Sequence, residues 1–369
     1  MRSTISVLTT LYNHEDFIIE TLTSAVNQSY SPNQIVVLDD SSSDDSVSFA
    51  KQISNPIIEI HSEKYNLGGP NTVKGLSLCK ADYIAILNSD DVWEKNKLKL
   101  QVEYLDTHPS CGAVFTKVKI IDENNYPWID GSNKIMTLFD IPNRSRNEWL
   151  NYFFYKGNAF CASSAMVRRS IFDQFGLFDG RYIQLQDFEM WLRIALNGYD
   201  LWIINEPLTK YRIMRTGTNM SASNIKGKSL FEFEFSKILR NYWKIESLEE
   251  LKSIFPEIKI SNKADNSLVL FYLAQHANKI QTLHHRMFAL ETMSQWGGDP
   301  YRMSLAFECH NFSHKSYIKF LSEGPIKDFI LKKWKTRLEL ILNIIFPYSM
   351  VQKIKEKLEK ISKIKYFFN

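Results

Sequence analysis

Tyr83-Ile84-Ala85-Ile86-Leu87-Asn88-Ser89-Asp90-Asp91-Val92-Trp93 decides how this chain is read. Its first five residues are apolar without alternation, the pattern of a strand covered on both faces. The run then stops on two carboxylates. The same form recurs toward the N-terminus. Ile35-Val36-Val37-Leu38 stops on Asp39-Asp40, and Ile5-Ser6-Val7-Leu8 on Thr9-Thr10. Ile57-Ile58-Glu59-Ile60 is a third strand pattern in chain order. Helical spacing fills the gaps, over 15–28, 44–53 and from Pro70 to about Lys80, with Asn66-Leu67-Gly68-Gly69 as the turn before Pro70. Further on, the pattern predicts a helix over 95–107, a strand over 113–121, a loop-rich stretch over 122–147 and a strand over 161–167. An amphipathic helix opened by Gln186-Asp187 and closed by Asn197-Gly198 completes it. Apolar strands separated by helices predict an α/β fold with a mostly parallel sheet, whose ligands bind beyond the carboxyl ends of the strands.

A chain of 369 residues with 44% hydrophobic and 23% charged content is long enough for two domains and excludes disordered and collagen-like classes. The cysteines Cys79, Cys111, Cys161 and Cys309 form no CxxC, which fits a reducing compartment rather than a disulfide scaffold. Met1 runs almost directly into a strand pattern, so no secretory signal is expected. Strand character fades after Met220. The predicted division is 1–220 as the α/β domain that carries the site, 221–330 as a helical C-terminal domain and 331–369 as a basic amphipathic tail. The tail carries a net +7, leaving the body at −3.

Asp90 and Asp91 have the hard oxygens that Mg²⁺ or Mn²⁺ prefers, and such sites use one or two carboxylates with substrate phosphates. A capped strand-to-helix turn explains the pair equally well. An ionised carboxylate at Asp39-Asp40 suits an N–H of a base ring, although Asp/Ser runs also make ordinary turns. Asp187 opens a helix, where it is either a general base or a simple cap. His284-His285 and Cys309-His310 with His314 lack a full zinc set at usual spacing. The aromatics of 149–155 read as core or as a platform for sugar rings. Neither a Gly-x-Gly-x-x-Gly after strand one nor a Walker-type loop is present, which disfavours dinucleotide enzymes and P-loop ATPases.

Taken in order, Ser6–Asn13, Val36–Ser42, Asn66-Leu67-Gly68, Asn88-Ser89-Asp90-Asp91 and Gln186–Leu192 resemble glycosyltransferase family 2 over roughly residues 3–215. The resemblance implies an A-type glycosyltransferase fold, Rossmann-like, with a nucleotide-sugar donor, Mn²⁺ or Mg²⁺ as cofactor, and inversion at the anomeric carbon. By position it implies that Thr9 and Asp40, with Asp39 beside them, line the nucleoside pocket together with Asn66, Asn88 and Ser89. Asp90 and Asp91 then hold the metal, and Asp187 is the catalytic base. Asn88 and Gln186 stand where the family usually has acids. Thr72 and Val73 stand where it often has Arg-Asn. The mark of processive synthases, Gln-x-x-Arg-Trp, is missing, which favours addition of a single sugar.

Leu340–Val351 is free of charge but too short to span a bilayer. After Pro347, Val351, Ile354, Leu358, Ile361 and Ile364 recur at helical spacing among lysines. That pattern describes a basic helix that lies on an anionic membrane or packs on protein. The expectation is a cytoplasmic enzyme, possible as a peripheral protein of the inner membrane face, which glycosylates a glycan or a lipid-linked acceptor, favouring UDP-sugars and without nucleic-acid partners. A different class, a non-catalytic nucleotide-binding scaffold of the same fold, fits Asn88 and Gln186.

Overall fold

The structure, a computed structural model, describes residues 2–129, 139–214 and 225–322. It divides into two compact units, Met1–Lys259 and Ile260–Asn369.

The first unit opens with three parallel strands, β1 (Ile5–Leu11), β2 (Gln34–Asp39) and β3 (Ile58–Ser62). Helices α1 (Ile18–Val26) and α2 (Ser46–Gln52) connect them. Ile18, Leu22 and Ala25 recur on one face of α1 and are buried with Ile5, Val7, Ile35 and Val37. Helix α3 (Gly69–Leu78) then returns the chain to β4 (Tyr83–Ile86), on the other side of β1. Gly68 precedes α3 at φ 60°, a backbone conformation that glycine adopts without strain. The adjacency of β1 and β4 is therefore the switch point of the sheet, the place beyond the strand ends where sheets of this kind bind ligands.

After β4 come β5 (Val92–Trp93), α4 (Lys97–Thr107), β6 (Cys111–Ile121), α5 (Arg146–Lys156), β7 (Met166–Arg168), α6 (Arg169–Phe175), α7 (Gln186–Leu196) and β8 (Asp200–Arg212). The sheet order is β3-β2-β1-β4-β7-β6-β8-β5, with β7 antiparallel to both neighbours and β5 antiparallel to β8. The strand expected over 161–167 shrinks to β7, because Ala162–Ser164 forms a 3-10 turn instead. Helix α5 occupies part of the expected loop. Its Ser145 makes a reciprocal capping box with Glu148, and Trp149, Phe153 and Phe154 are buried, so these rings are core.

The last described strand ends at Arg212, but the packing of the unit continues. Helices α8 (Ile225–Ile238) and α9 (Leu248–Ile254) belong to the first unit. Phe235 meets Phe188 edge-on at 5.2 Å, and the Tyr242 hydroxyl donates to the Leu150 carbonyl at 2.5 Å. Aromatic side chains thus hold these helices against α5 and α7. The second unit contains α10 (Val269–Asn278), α11 (Leu283–Trp296), α12 (Pro300–His310) and α13 (His314–Ser322) around Leu273, Phe288, Met293 and Trp296. His310 bonds the Tyr272 hydroxyl and His285 bonds Thr282; no cluster of three metal-ligating side chains occurs among the described residues. None of the described helices is long and apolar enough to cross a membrane. The basic tail, 331–369, lies outside the described residues.

A Cβ placed on Gly69 would meet the backbone oxygens of Gly180 and Tyr182 at 2.6 and 2.8 Å. Backbone cannot rotate away as a side chain can. We expect Gly69→Ala to cost about 1–3 kcal/mol, the usual cost of overpacking, read as a lower urea midpoint at unchanged m-value.

Candidate active site

Two carboxylate clusters sit beyond the two strands that flank β1. Asp40 follows β2, and Asp90 follows β4 across β1. Their surroundings differ.

Asp91 is fully buried. Its Oδ1 accepts the Arg212 N–H at 2.9 Å, and its Oδ2 accepts from the Ser163 hydroxyl and, at 3.4 Å, from Asn88 Nδ2. Desolvation and the neighbouring Asp90 charge push its pKa well above the ordinary carboxylate value; Ser163 and Arg212 oppose this. Arg212, also fully buried, spans the region. Its Nε donates to the Asp90 carbonyl at 2.7 Å, its Nη1 to Asn125 at 2.8 Å and its Nη2 to Glu20 at 3.0 Å. Thr21 of α1 donates to the carbonyls of Ser89 and Asp91, and the Ser89 hydroxyl pairs with His14 Nδ1 at 2.7 Å. The Asn88–Asp91 turn is thereby tied to α1, to the end of β8 and to the segment before β7.

The Asp90 side chain is only partly buried. Burial raises its pKa; the nearby His14 and Arg212 pull the other way. Apart from its own amide, no hydrogen-bond donor reaches its carboxylate among the described residues. No group of three His, Cys, Asp or Glu is assembled there either. A divalent cation fits this arrangement as one held by a single carboxylate and completed by donor phosphates. Two adjacent carboxylates that repel each other also favour a positive charge beside them.

Asp40 is engaged. The amides of Leu67 and Gly68 donate to its two oxygens at 2.7 and 2.8 Å. This fixes the turn before α3, with Asn66 exposed on it. Asp39 receives the Ser42 amide on Oδ1 at 3.1 Å. Thr9 lies on the β1 face shared with Ile5, Val7 and Leu11, and its hydroxyl is buried with no hydrogen-bond partner among the described residues. Tyr12 and Tyr65 are exposed near the ends of β1 and β3.

Asp187 is the second residue of α7. The residue that caps that helix is Leu185, which makes no side-chain cap, so Asp187 is not a cap. Its Oδ2 accepts from Asn158 Nδ2 at 2.8 Å and its Oδ1 from the Phe188 amide. Desolvation nevertheless pushes its pKa up to about 6. The segment 157–164 joins the two acid sites: Asn158 holds Asp187 and Ser163 holds Asp91. Between them the buried Cys161 thiol is pushed up by desolvation and by both carboxylates.

Residues 6–176 match the family model for Glycosyl transferase family 2. That stretch, a little under half of the chain, carries the family's domain. Among its curated relatives is an uncharacterized glycosyltransferase of Methanocaldococcus jannaschii, 29% identical over 65% of this chain and 79% of that one. The putative teichuronic acid biosynthesis glycosyltransferase TuaG of Bacillus subtilis is 26% identical over 70% and 95%. The Escherichia coli UDP-Glc:alpha-D-GlcNAc-diphosphoundecaprenol beta-1,3-glucosyltransferase WfaP is 28% identical over 57% and 77%. Among solved structures, S. aureus TarS 1–349 in complex with UDP-GlcNAc covers 86% of this chain and 90% of its own at TM-score 0.53 and 17% identity, a likeness of fold. The A-type glycosyltransferase fold is thus observed, and the protein is a glycosyltransferase.

Within this glycosyltransferase, Asn158, Ser163 and Arg212 were not legible as site residues. Each lies far in sequence from its carboxylate, and none stands in a recognisable motif. Asn71, in the first turn of α3, is also buried, and neither its Nδ2 nor its Oδ1 finds a partner among the described residues. Ser163→Ala removes a hydroxyl that serves both Asp91 and the Asn88 amide. We expect a loss of about 1–3 kcal/mol in stability, the cost of an orphaned buried acceptor, measured by chemical denaturation.

Proposed function

We propose that this glycosyltransferase moves one sugar, with inversion, from a UDP-sugar to a hydroxyl of a glycan or lipid-linked acceptor in cell-surface polysaccharide synthesis. The observation that supports the reading is the segment 157–164, whose Asn158 bonds Asp187 and whose Ser163 bonds Asp91. The names of the E. coli and B. subtilis relatives support the donor class and the pathway type.

In this reading Asp187 takes the proton from the acceptor hydroxyl. The freed oxygen attacks the anomeric carbon from the face opposite the nucleotide, and the bond to the diphosphate breaks. Burial keeps Asp187 basic enough to accept the proton near neutral pH. Asp90 would hold Mn²⁺ or Mg²⁺, which when bound neutralises charge on the departing diphosphate. Asp91 keeps the turn rigid and does not itself ligate. Asp39 faces the nucleobase with the oxygen left free by Ser42, Asp40 shapes the turn carrying Asn66, and Asn88 and Ser89 line the ribose side. The tail's alternation of apolar and basic residues supports contact with an anionic membrane.

A base must be ionised to work, and a carboxylate raised to about 6 is ionised only above that pH. We expect turnover to rise with pH along an acid limb near 6 and then to level off. Asp187→Asn should leave UDP affinity nearly intact and lower turnover by at least ~100-fold; lost affinity at unchanged turnover contradicts the role. Asp90→Ala should abolish the Mn²⁺ dependence of UDP release, scored against a panel of UDP-, GDP- and dTDP-sugars. Binding without turnover under every condition contradicts the proposed transfer.

A further inference from the structure

Helix α7 carries the proposed base but has no side-chain cap of its own. The amides just ahead of it are instead held by a distant residue. Glu234 on α8 is buried, and its carboxylate collects three consecutive amides: Ile183 on Oε1 at 2.6 Å, Gln184 and Leu185 on Oε2 at 3.0 Å each. Charge-assisted bonds of this kind are about twice as strong as neutral ones. Three on adjacent residues leave the segment one conformation. On its other side, the same loop abuts α3, where Gly69 and Pro70 pack against Gly180.

We propose that Glu234 is a positioning residue for the transfer reaction: by gathering the amides of Ile183, Gln184 and Leu185 it fixes the path into α7 and so the place of the Asp187 carboxylate. This rests on the role proposed for Asp187. It extends the working site to α8, outside the stretch matched by the family model. Leu185 is the last residue held and Asp187 follows two residues later, so little slack separates the clamp from the base. Other ionisable groups facing this region are Cys161, which senses Asp187, Glu189 with its partner Arg193, and Arg240, which acts on Tyr182. None of them is bonded to the three clamped amides in the way Glu234 is.

The test compares full-length wild type with Glu234→Gln, which keeps the size and loses the charge, and with Glu234→Asp, which keeps the charge on a shorter arm. Hydrogen exchange of the 183–185 amides and the ¹³C carboxyl titration of Asp187 need no turnover. UDP release from the UDP-sugar that wild type uses best reports kcat, donor KM and the acid limb. We expect exchange to accelerate at least ~10-fold in Glu234→Gln as the local opening becomes easier. We expect kcat to fall about 10- to 100-fold, the scale of a 1 Å misplacement, with donor KM within about twofold. The Asp187 titration should move below 6, because a loosened loop admits water to the carboxylate. Glu234→Asp should lie between the two, and it carries the test if Glu234→Gln does not fold. Unchanged exchange overturns the proposal. So does faster exchange with kcat per folded molecule and the Asp187 titration both unmoved, which marks a purely structural residue. If wild type releases no nucleoside diphosphate from any donor, the transfer reading fails, while exchange and titration still judge whether Glu234 positions Asp187.

Discussion

A carboxylate sealed away from water governs this structure. Asp91 has no access to solvent, so each of its oxygens must be met by protein. The groups that meet it come from the end of β8, from the turn before β7 and from the end of β4. Removing one partner leaves a buried polar group unmet, which costs about 1–3 kcal/mol. The three segments are thereby held in one arrangement beyond the end of β4. Arg212 extends the constraint to α1 and to the loop after β6, again without solvent contact.

Similar side chains are divided between support and chemistry by their surroundings. Asp40 and Asp91 have both oxygens occupied, by backbone amides in the first case and by Ser163, Asn88 and Arg212 in the second. Asp187 is also met on both oxygens, by Asn158 and the Phe188 amide, whereas only its own amide reaches the Asp90 carboxylate among the described residues. Burial raises Asp90, Asp91 and Asp187 alike. The role proposed for Asp90 therefore rests on its unclaimed oxygens, and that for Asp91 on the donors that claim it.

The proposed working region reaches past the stretch that matches the family model. That match stops at residue 176, before α7, before Arg212 and before Glu234. Phe188 of α7 packs on Phe235 of α8, and Glu234, one residue earlier, grips the loop ahead of α7. One helix thus supplies apolar packing and polar restraint on neighbouring positions. This is a physical reason for the first compact unit to continue to Lys259 instead of ending where strands do.

The order of apolar strands, the acids at their ends and the helix opened by Gln186 were legible from residue types alone, because burial on both faces and helical periodicity leave local traces. The core role of Trp149, Phe153 and Phe154 was open between two readings until α5 was seen to bury them. β8 escaped the pattern, since its thirteen residues mix charges with apolar positions and include Pro207. The local sequence also presented Asp90 and Asp91 as equals. Only the tertiary structure separated them, because the partners that claim Asp91 arrive from residues 163 and 212, and hydrogen bonds across such separations leave no periodic signal in the chain.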